Sequence, residues 1–285
     1  MKRVREVRIR MATQKAFLSI LENEIARDTL KLPTLPDVAL QVEQAVNDPD
    51  TSLNDLQHII ARDPALSARM VKLANSAWLG RAVRVESLQQ ALTRIGMWQI
   101  RNIVVGLAME QLFDAKNDIV RRRMQQCWLE SVKLTAAVVV LLRNYDGKTR
   151  LHQHTAALMS MTSQIGALPV LTMAEKHADT FANPTFINDC IQGVGPSLSG
   201  MILRAWKFAD EQVHVGEHWQ GPIVSFKPSY LSILQLAGVL TELHDAQHSE
   251  ALISCFVQTG LLPGPQWWQQ ARVQEEYQSI IEALS

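Results

Sequence analysis

The side chains best suited to chemistry in this sequence are histidines placed at short intervals. His214 and His218 lie four residues apart, so on one face of a helix their imidazoles could bridge a divalent metal ion. Gly216 lies between them, however, and a helix end at that glycine is an equally good interpretation. A solvated or hydrogen-bonded histidine is the default interpretation, and a metal site would need folding to bring His177 close to both. Two further short pairs are His152 with His154 and His244 with His248.

Motifs that mark other catalytic centres are missing. The sequence has no GxSxG, P-loop or GxGxxG segment, so serine hydrolases of that type, nucleoside triphosphatases and dinucleotide enzymes lack their signatures. Cys127 lies in a long apolar stretch, which predicts a buried thiol rather than a nucleophile. The next cysteine, Cys190, is more than 60 residues away. This spacing excludes a CxxC metal knuckle and favours a reducing compartment, so we expect a cytoplasmic protein.

Composition argues against general binding to nucleic acids or membranes. The 285 residues carry 28 Lys and Arg against 28 Asp and Glu, for a formal net charge of zero, which removes a general attraction to polyanions. The apolar stretches are shorter than the roughly twenty residues that span a bilayer. Nucleic-acid binding through the basic residues of segment 2–10 and the triplet Arg121 to Arg123 is the last-ranked alternative. Such a triplet is more typical of a solvated helix face than of an anion site.

Apolar residues recur with helical spacing nearly everywhere, and no run of alternating residues predicts a strand, so the sequence predicts an all-α fold. Ser52 with Asp55 indicates a capping box, and Asp63 before Pro64 indicates another helix start. Gly96 marks a helix end. The later part of the chain predicts helices at about 155–165, 172–181 and 197–208, with a break over 193–196. We expect a basic segment over 1–14, helical sub-domains over 15–116 and 117–245, and a helical extension over 246–285.

Four segments of the first half occur in a recognisable order. They are Leu32-Pro33-Thr34-Leu35-Pro36, then Ile60 to Arg69, Leu73 to Ala77, and Ala91 to Gly96. In order and spacing they resemble the HDOD family, a signalling-associated branch of the HD phosphohydrolase superfamily, over about residues 15–245. The resemblance implies a multi-helical bundle in two helical sub-domains. Turns and helix caps account for most motif residues, and a contact of Asn75 or Ser76 with a partner or ligand is the alternative. These motif residues are Pro33, Pro36, Asp63, Pro64, Asn75, Ser76 and Gly96.

The resemblance also locates the positions where HD hydrolases hold divalent ions. Those enzymes use a His, a His-Asp pair and a later Asp, and the ions activate water for attack on a phosphoester. At the matching positions this sequence has Glu130, then Ser163 and Gln164, and finally Gly238. Serine and glutamine are poor ligands for such an ion, and glycine has no side chain. The resemblance therefore implies that the hydrolytic centre is lost and that no cofactor is bound.

The leading hypothesis is a catalytically inert HDOD-type module that acts by binding in a bacterial signalling pathway. Related domains often accompany response-regulator or cyclic-dinucleotide-turnover domains. This chain has no room for either, so we expect a stand-alone adaptor with a protein partner and an undefined small ligand. The expected binding site is the groove between the helical halves, with Trp128, Arg204, Trp206 and His218. The alternative is a metal-dependent phosphohydrolase with an unconventional site, built from Glu130 with His177, His214 or His218.

Overall fold

Helices supply the regular structure of the chain, which a computed structural model describes over residues 32–80, 83–244 and 250–285, with 19–20, 23–24 and 27. No strand occurs within those ranges, so the all-α prediction is confirmed. In the same ranges, none of the helices combines the length and the apolarity needed to cross a membrane. The predictions for the basic segment 1–14 and for His248 lie outside the described residues.

The helices are short in the first third of the chain and longer afterwards. The α-helices are α1 (Asp37–Val46), α2 (Leu53–Ile60), α3 (Pro64–Ala74), α4 (Leu88–Ile95), α5 (Met97–Ala108), α6 (Asp118–Arg143), α7 (Gln153–Met161), α8 (Ala167–Lys176), α9 (Ala178–Phe181), α10 (Pro184–Ala205), α11 (Asp210–His218), α12 (Tyr230–Leu240), α13 (Glu250–Gln258) and α14 (Ala271–Leu284). Short 3₁₀ turns follow at Met109–Leu112 and Trp267–Gln269.

Local capping explains where the first helices begin. The Ser52 hydroxyl accepts a hydrogen bond from the Asp55 N–H (3.3 Å), and the Asp55 carboxylate accepts one from the Ser52 N–H (2.9 Å). Asp63 caps α3 by accepting from the Leu66 N–H at 2.9 Å, with Pro64 as the first helical residue. Between α4 and α5, Gly96 has φ of 85°, a left-handed conformation that favours glycine. The predicted capping box, helix start and helix end are therefore confirmed.

The predicted break over 193–196 is wrong, because α10 runs unbroken through it for 22 residues. The helix begins earlier than predicted, where the Asn183 side chain accepts a hydrogen bond from the Phe186 N–H at 3.1 Å. Pro196 lies inside the helix and removes one backbone hydrogen bond. Leu198, Ile202 and Leu203 are buried just beyond it, and their packing offsets that loss.

The helix predicted over 155–165 ends early, and the segment after it differs from the prediction. Residues 162–166 form a turn, and α8 then begins at Ala167 instead of near residue 172. Pro169 lies in the first turn of α8, where an N–H group would lack an intrahelical partner in any case. Pro169, which the sequence predicts as a break between helices, therefore lies in the first turn of α8.

Each of the two compact units of the chain combines three separate segments. The smaller unit contains residues 1–34, 112–128 and 163–217, and the larger unit contains residues 35–111, 129–162 and 218–285. The sequence instead predicts contiguous sub-domains, and those contiguous boundaries stay a prediction. The long helix α6 contributes its first part to the smaller unit and its second part to the larger one. The periodicity of apolar residues cannot predict that one helix is divided between two units.

The core of the larger unit is built around α5. This helix packs against α1 and α7, and its residues Ile100 and Val104 are fully buried. At Gly106 the contact with α7 is so close that a Cβ atom would lie 2.0 Å from the Met161 sulfur. On another side, α14 packs against α3. The Arg69 guanidinium fixes this contact by donating to the carbonyl of Leu284, as well as to Glu110.

Candidate functional site

The positions predicted to replace metal ligands lie on α6, in the turn after α7 and on α12. Ser163 and Gln164 are buried in the turn, with exposed fractions of 4% and 5%, and belong to the smaller unit. Glu130 on α6 is partly exposed, Gly238 on α12 is buried, and both belong to the larger unit. Each position is therefore best judged by its own surroundings.

The space beside Gly238 is filled by protein. A Cβ atom at this position would lie 3.1 Å from the Cβ of His244 and 3.4 Å from Cζ3 of Trp219. Trp219 is 1% exposed. The His244 ring is held by a 3.0 Å hydrogen bond between its Nε2 and the Gly221 carbonyl. A side chain at position 238 would therefore require His244 to shift and would lie in contact with Trp219.

The turn at residues 162–166 packs closely against α10. The Gly166 N–H donates to the Ser199 hydroxyl at 3.1 Å. A Cβ on Gly166 would lie 1.9 Å from the Gly195 carbonyl oxygen and 2.7 Å from the Ser199 nitrogen. The φ of Gly166 is −68°, so the glycine is required for space and not for its backbone conformation. The assignment of this segment as a former metal-binding position stays a prediction, and the sequence gave no sign of the helix that covers it.

The histidines considered as ligands are exposed. His214 and His218 both lie in α11, so Gly216 does not end the helix as one of the two interpretations required. A Cβ on Gly216 would lie 2.6 Å from Cδ1 of Leu203, so this glycine permits close packing on α10. His177 lies between α8 and α9, with its ring edge-on to Phe181 at 6.1 Å.

The donor set does not suit a divalent metal ion. A hydroxyl, an amide and a glycine occupy three of the four positions, and such ions require carboxylate or imidazole ligands that converge on one point. Within the described part of the chain, no three His, Cys, Asp or Glu side chains form a group that could hold a metal ion. We therefore derive no chemical step through a metal.

Three of the residues predicted to line a groove have packing roles in the smaller unit. Trp206 donates its indole N–H to the Pro33 carbonyl at 2.9 Å, which ties the Pro-rich entry segment to the end of α10. Arg204 pairs with Glu217 of α11 at 2.7 Å. Trp128 is 7% exposed, with its ring 6.1 Å from that of Phe113. The fourth, His218, is exposed, and the groove itself stays a prediction.

Asn75 links the end of α3 to Val85 through side-chain hydrogen bonds. Its side-chain amide donates to the Val85 carbonyl and accepts from the Val85 N–H, each at 2.8 Å, and also donates to the Val71 carbonyl at 3.0 Å. The neighbouring Ser76 hydroxyl donates to the Leu73 carbonyl at 2.7 Å. These bonds fit the interpretation of Asn75 and Ser76 as capping and turn residues.

Replacing Asn75 by alanine is expected to lower the free energy of unfolding by about 2 kcal/mol, because the paired backbone groups of Val85 lose their partner. Chemical denaturation measures this change. Asn47→Ala is the matched control, since Asn47 makes only a bond to the carbonyl four residues before it, at 2.9 Å. An equal effect of the two substitutions would contradict a special role for the Val85 bonds.

The two buried cysteines and the arginine triplet lie in packed or paired surroundings. Cys127 and Cys190 are buried, and burial together with the nearby Asp189 raises the pKa of Cys190 to about 12, so this thiol is protonated at neutral pH. Arg121 pairs with Asp118 at 2.9 Å, and Arg123 donates to the Asn188 side chain at 2.7 Å. Intramolecular partners therefore engage both arginines.

Sequence reasoning missed a cavity in the larger unit. It has a volume of about 820 Å³ and lies between α3, the segment 83–86 and α14. Its lining includes Lys72, Arg84 and Glu282. No sequence signal could reveal it, because α14 is about two hundred residues from the other two walls.

Comparison with known proteins gives a family and several relatives. The sequence profile of the HDOD domain family matches residues 32–221. A solved structure from Shewanella amazonensis SB2B, provisionally named a metal-dependent phosphohydrolase, is 34% identical with a TM-score of 0.90 and covers 96% of this chain and 100% of the other.

Two more distant relatives share less with this chain. A provisionally named signal transduction protein from Marinobacter aquaeolei VT8 is 19% identical with a TM-score of 0.62, covers 96% of this chain and 65% of the other, and shows likeness of fold alone. A curated uncharacterized protein from Treponema pallidum (strain Nichols) is 26% identical over 129 residues, or 45% of this chain. That match spans only 23% of the relative's own length.

Proposed function

The chain belongs to the HDOD domain family, and from that premise we propose that it is a catalytically inert binding module of a bacterial signal transduction pathway. The partner is a protein, and the cysteine spacing favours action in the cytoplasm. The name of the Marinobacter aquaeolei relative points to the same class of pathway. Fold likeness alone does not fix a function, so the proposal rests on the chemistry of the site.

The observation that carries the proposal is the packing around Gly238. The side chains of His244 and Trp219 lie 3.1 and 3.4 Å from the point where the Cβ of the last metal-binding residue would stand. If a metal-binding side chain were lost by substitution alone, an open pocket would remain, and a water molecule could take its place on the ion. Here the space has been taken by side chains, which supports the loss of the metal centre as a whole.

A binding role also requires a surface, and α5 offers one candidate contact. Trp98, close to the start of this helix, is 78% exposed. Tryptophan is enriched among the residues that dominate binding energy at protein interfaces. Its exposure supports a binding role without identifying the partner.

We expect no hydrolysis of a generic phosphodiester, such as bis(p-nitrophenyl) phosphate, with either manganese or a chelator in the assay. The reason is that three of the four positions lack a side chain suited to a divalent ion, and the single carboxylate of Glu130 cannot by itself build a site that generates a metal-bound hydroxide. The assay compares tag-free protein with buffer alone at several protein concentrations. Chelator-sensitive turnover that rises with protein concentration would contradict the proposal.

The second candidate is a metal-dependent phosphohydrolase, favoured by the provisional name of the Shewanella amazonensis relative, which is 34% identical over nearly the whole chain. It requires an unconventional site in which Glu130 acts with His177, His214 or His218. The substitutions His177→Ala, His214→Ala and His218→Ala test this candidate, because a hydrolase of this kind would lose metal-dependent turnover in at least one of them.

A further inference from the structure

Two aromatic rings stack inside the larger unit in the segment that follows α3. The Trp78 indole and the His154 imidazole have ring centroids 5.7 Å apart and planes inclined by 22°. Trp78 is 4% exposed and lies three residues after Asn75, while His154 lies in the first turn of α7. The stack therefore joins a connecting segment to a helix of the core.

Both rings carry a buried nitrogen without a protein partner. Nε1 of Trp78 and Nδ1 of His154 have no hydrogen-bond partner and almost no solvent access. A neutral imidazole tolerates this environment, since one of its nitrogens can remain an acceptor. An imidazolium carries N–H on both nitrogens, so the buried Nδ1 would become a donor without an acceptor, on a ring that is only partly exposed to water.

Stacking on the indole offers little compensation for that charge. A cation over an aromatic face is attracted when it lies within about 6 Å of the ring centroid, and 5.7 Å is close to that limit. The desolvation of a buried charge outweighs such a contact. Protonation of His154 therefore opposes the stacked arrangement.

Within the described part of the chain, no acid offsets the desolvation that lowers the pKa of His154. Residues 75–80 carry no ionisable side chain. On the elements around the stack, Arg143 of α6 pairs with Glu276 of α14 at 2.7 Å, and Arg101 of α5 pairs with Glu43 at 2.6 Å. The other ionisable groups on α5, α6, α12 and α14 are Asp118, Arg121, Arg122, Arg123, Cys127, Glu130 and Lys133 on α6, Tyr230 on α12, and Arg272, Glu275, Tyr277 and Glu282 on α14. His152 lies on the turn before α7.

Hydrogen bonds and packing connect the Trp78 segment to its neighbours, Leu79 packing against Ala74 and Val85. The Trp78 N–H donates to the Ser76 hydroxyl at 3.2 Å, and the Ala77 carbonyl accepts from Arg143. Asn75 joins the start of the segment to Val85, which lines the 820 Å³ cavity. Movement of Trp78 would therefore be transmitted toward one wall of that cavity.

We propose that Trp78 and His154 form a proton-operated latch, which holds the segment after α3 closed while the imidazole is neutral and releases it when the imidazole is protonated. The proposal goes beyond the binding function, because the latch would operate whether or not the chain hydrolyses a substrate. A protein that contacts the cavity wall would then bind with an affinity that depends on pH.

The direction of the pH effect follows from burial, which lowers the pKa of His154 below its usual value. As the pH falls through about 6.5, the unfolded or released chain gains a proton that the closed chain does not accept. The stability of the closed state is therefore complete above that pH and declines below it, until the pH passes the lowered pKa of the closed state.

The indole N–H signal of Trp78 in ¹⁵N–¹H spectra provides the test, and its assignment follows from its loss in Trp78→Phe. We expect this signal to shift between pH 7.5 and 5 with a midpoint below about 6.5, and the Trp78 amide to exchange faster with deuterium as the pH falls, after correction for intrinsic rates. In His154→Phe, which keeps a stacked ring without a titrating group, both changes should disappear. His152→Gln, at an exposed histidine two residues earlier, should retain them.

Two results would overturn the latch. One is an indole signal that stays constant over this pH range in the wild-type protein, and the other is an equal pH response in His154→Phe. If His154→Phe does not fold, the pH midpoint of the wild-type indole signal tests the latch alone. A midpoint at or above about 6.5 would contradict an imidazole that resists protonation.

Discussion

Gly238→Asp, which would restore the last ligand of an HD hydrolase, is expected to lower the free energy of unfolding by about 4 kcal/mol without creating a metal site. The cost has two sources. The new Cβ would lie 3.1 Å from the Cβ of His244, which is tighter than most real contacts, and 3.4 Å from the ring of Trp219, which is ordinary contact. The carboxylate beyond it would belong to a helix whose residues Tyr230 and 232–240 are buried.

Two control substitutions separate the steric cost from the electrostatic one. Gly238→Ala adds only the Cβ and is expected to cost about 1 kcal/mol. Gly264→Asp places the same carboxylate where nothing lies within 4 Å of the new Cβ, and its effect should be within about 0.5 kcal/mol. Chemical denaturation measures all three. A Gly238→Asp variant of wild-type stability would show that the space around Gly238 opens readily and would weaken the case against a metal centre.

Gly166→Ala is expected to lower the free energy of unfolding by about 3 kcal/mol, although the backbone conformation at this position is open to any residue. The added methyl would lie 1.9 Å from the Gly195 carbonyl oxygen, 2.5 Å from the Ser199 hydroxyl oxygen and 2.7 Å from the Ser199 nitrogen. Two of these atoms belong to the backbone of α10 and cannot move aside as a flexible side chain would. The turn must therefore separate from the helix, which also breaks the 3.1 Å bond from the Gly166 N–H to Ser199.

Gly195→Ala is the matched control, because it modifies the other side of the same contact. Its Cβ would meet only Cγ2 of Ile191, at 3.6 Å, and the Gly166 backbone at 4.0 Å. Alanine is the better helix former, so we expect this variant to be more stable than wild type by about 0.5–1 kcal/mol. If both variants lost stability equally, the expected difference between the two sides of this contact would be wrong.

Features set by neighbouring residues could be predicted from the sequence. The capping box of Ser52 with Asp55 and the start of α3 at Asp63 depend on residues within three positions of each other. The helix end at Gly96 depends on one backbone conformation. Such interactions depend on residues close in sequence, so tertiary packing rarely changes them.

Features set by distant residues could not be predicted. Gly195 and Pro196 are breakers by intrinsic preference, yet α10 continues through them because residues on both sides are buried in the smaller unit. Arg69 donates to the carbonyl of Leu284, 215 positions away. The stack of Trp78 on His154 likewise joins segments that no local pattern connects.

For the candidate site, the sequence supplies predicted positions but not their surroundings. The resemblance to the HDOD family assigns Ser163, Gln164 and Gly238 to former ligand positions, and the chemistry of these residues argues against metal binding there. That Trp219 would fill the place beside Gly238 required the packing of the α11–α12 connection against α12. The same limit applies to Trp206, whose bond to the Pro33 carbonyl spans 173 positions.

The measurement that tests the central claim most directly is the metal content of the intact, tag-free protein, determined by inductively coupled plasma mass spectrometry. The cells should be grown with added manganese, iron and zinc, so that a competent site is supplied. An inert binding module predicts folded protein without a stoichiometric amount of any of these metals. One or two ions per chain, removed by chelator and lost in His218→Ala, would contradict the account and favour the hydrolase.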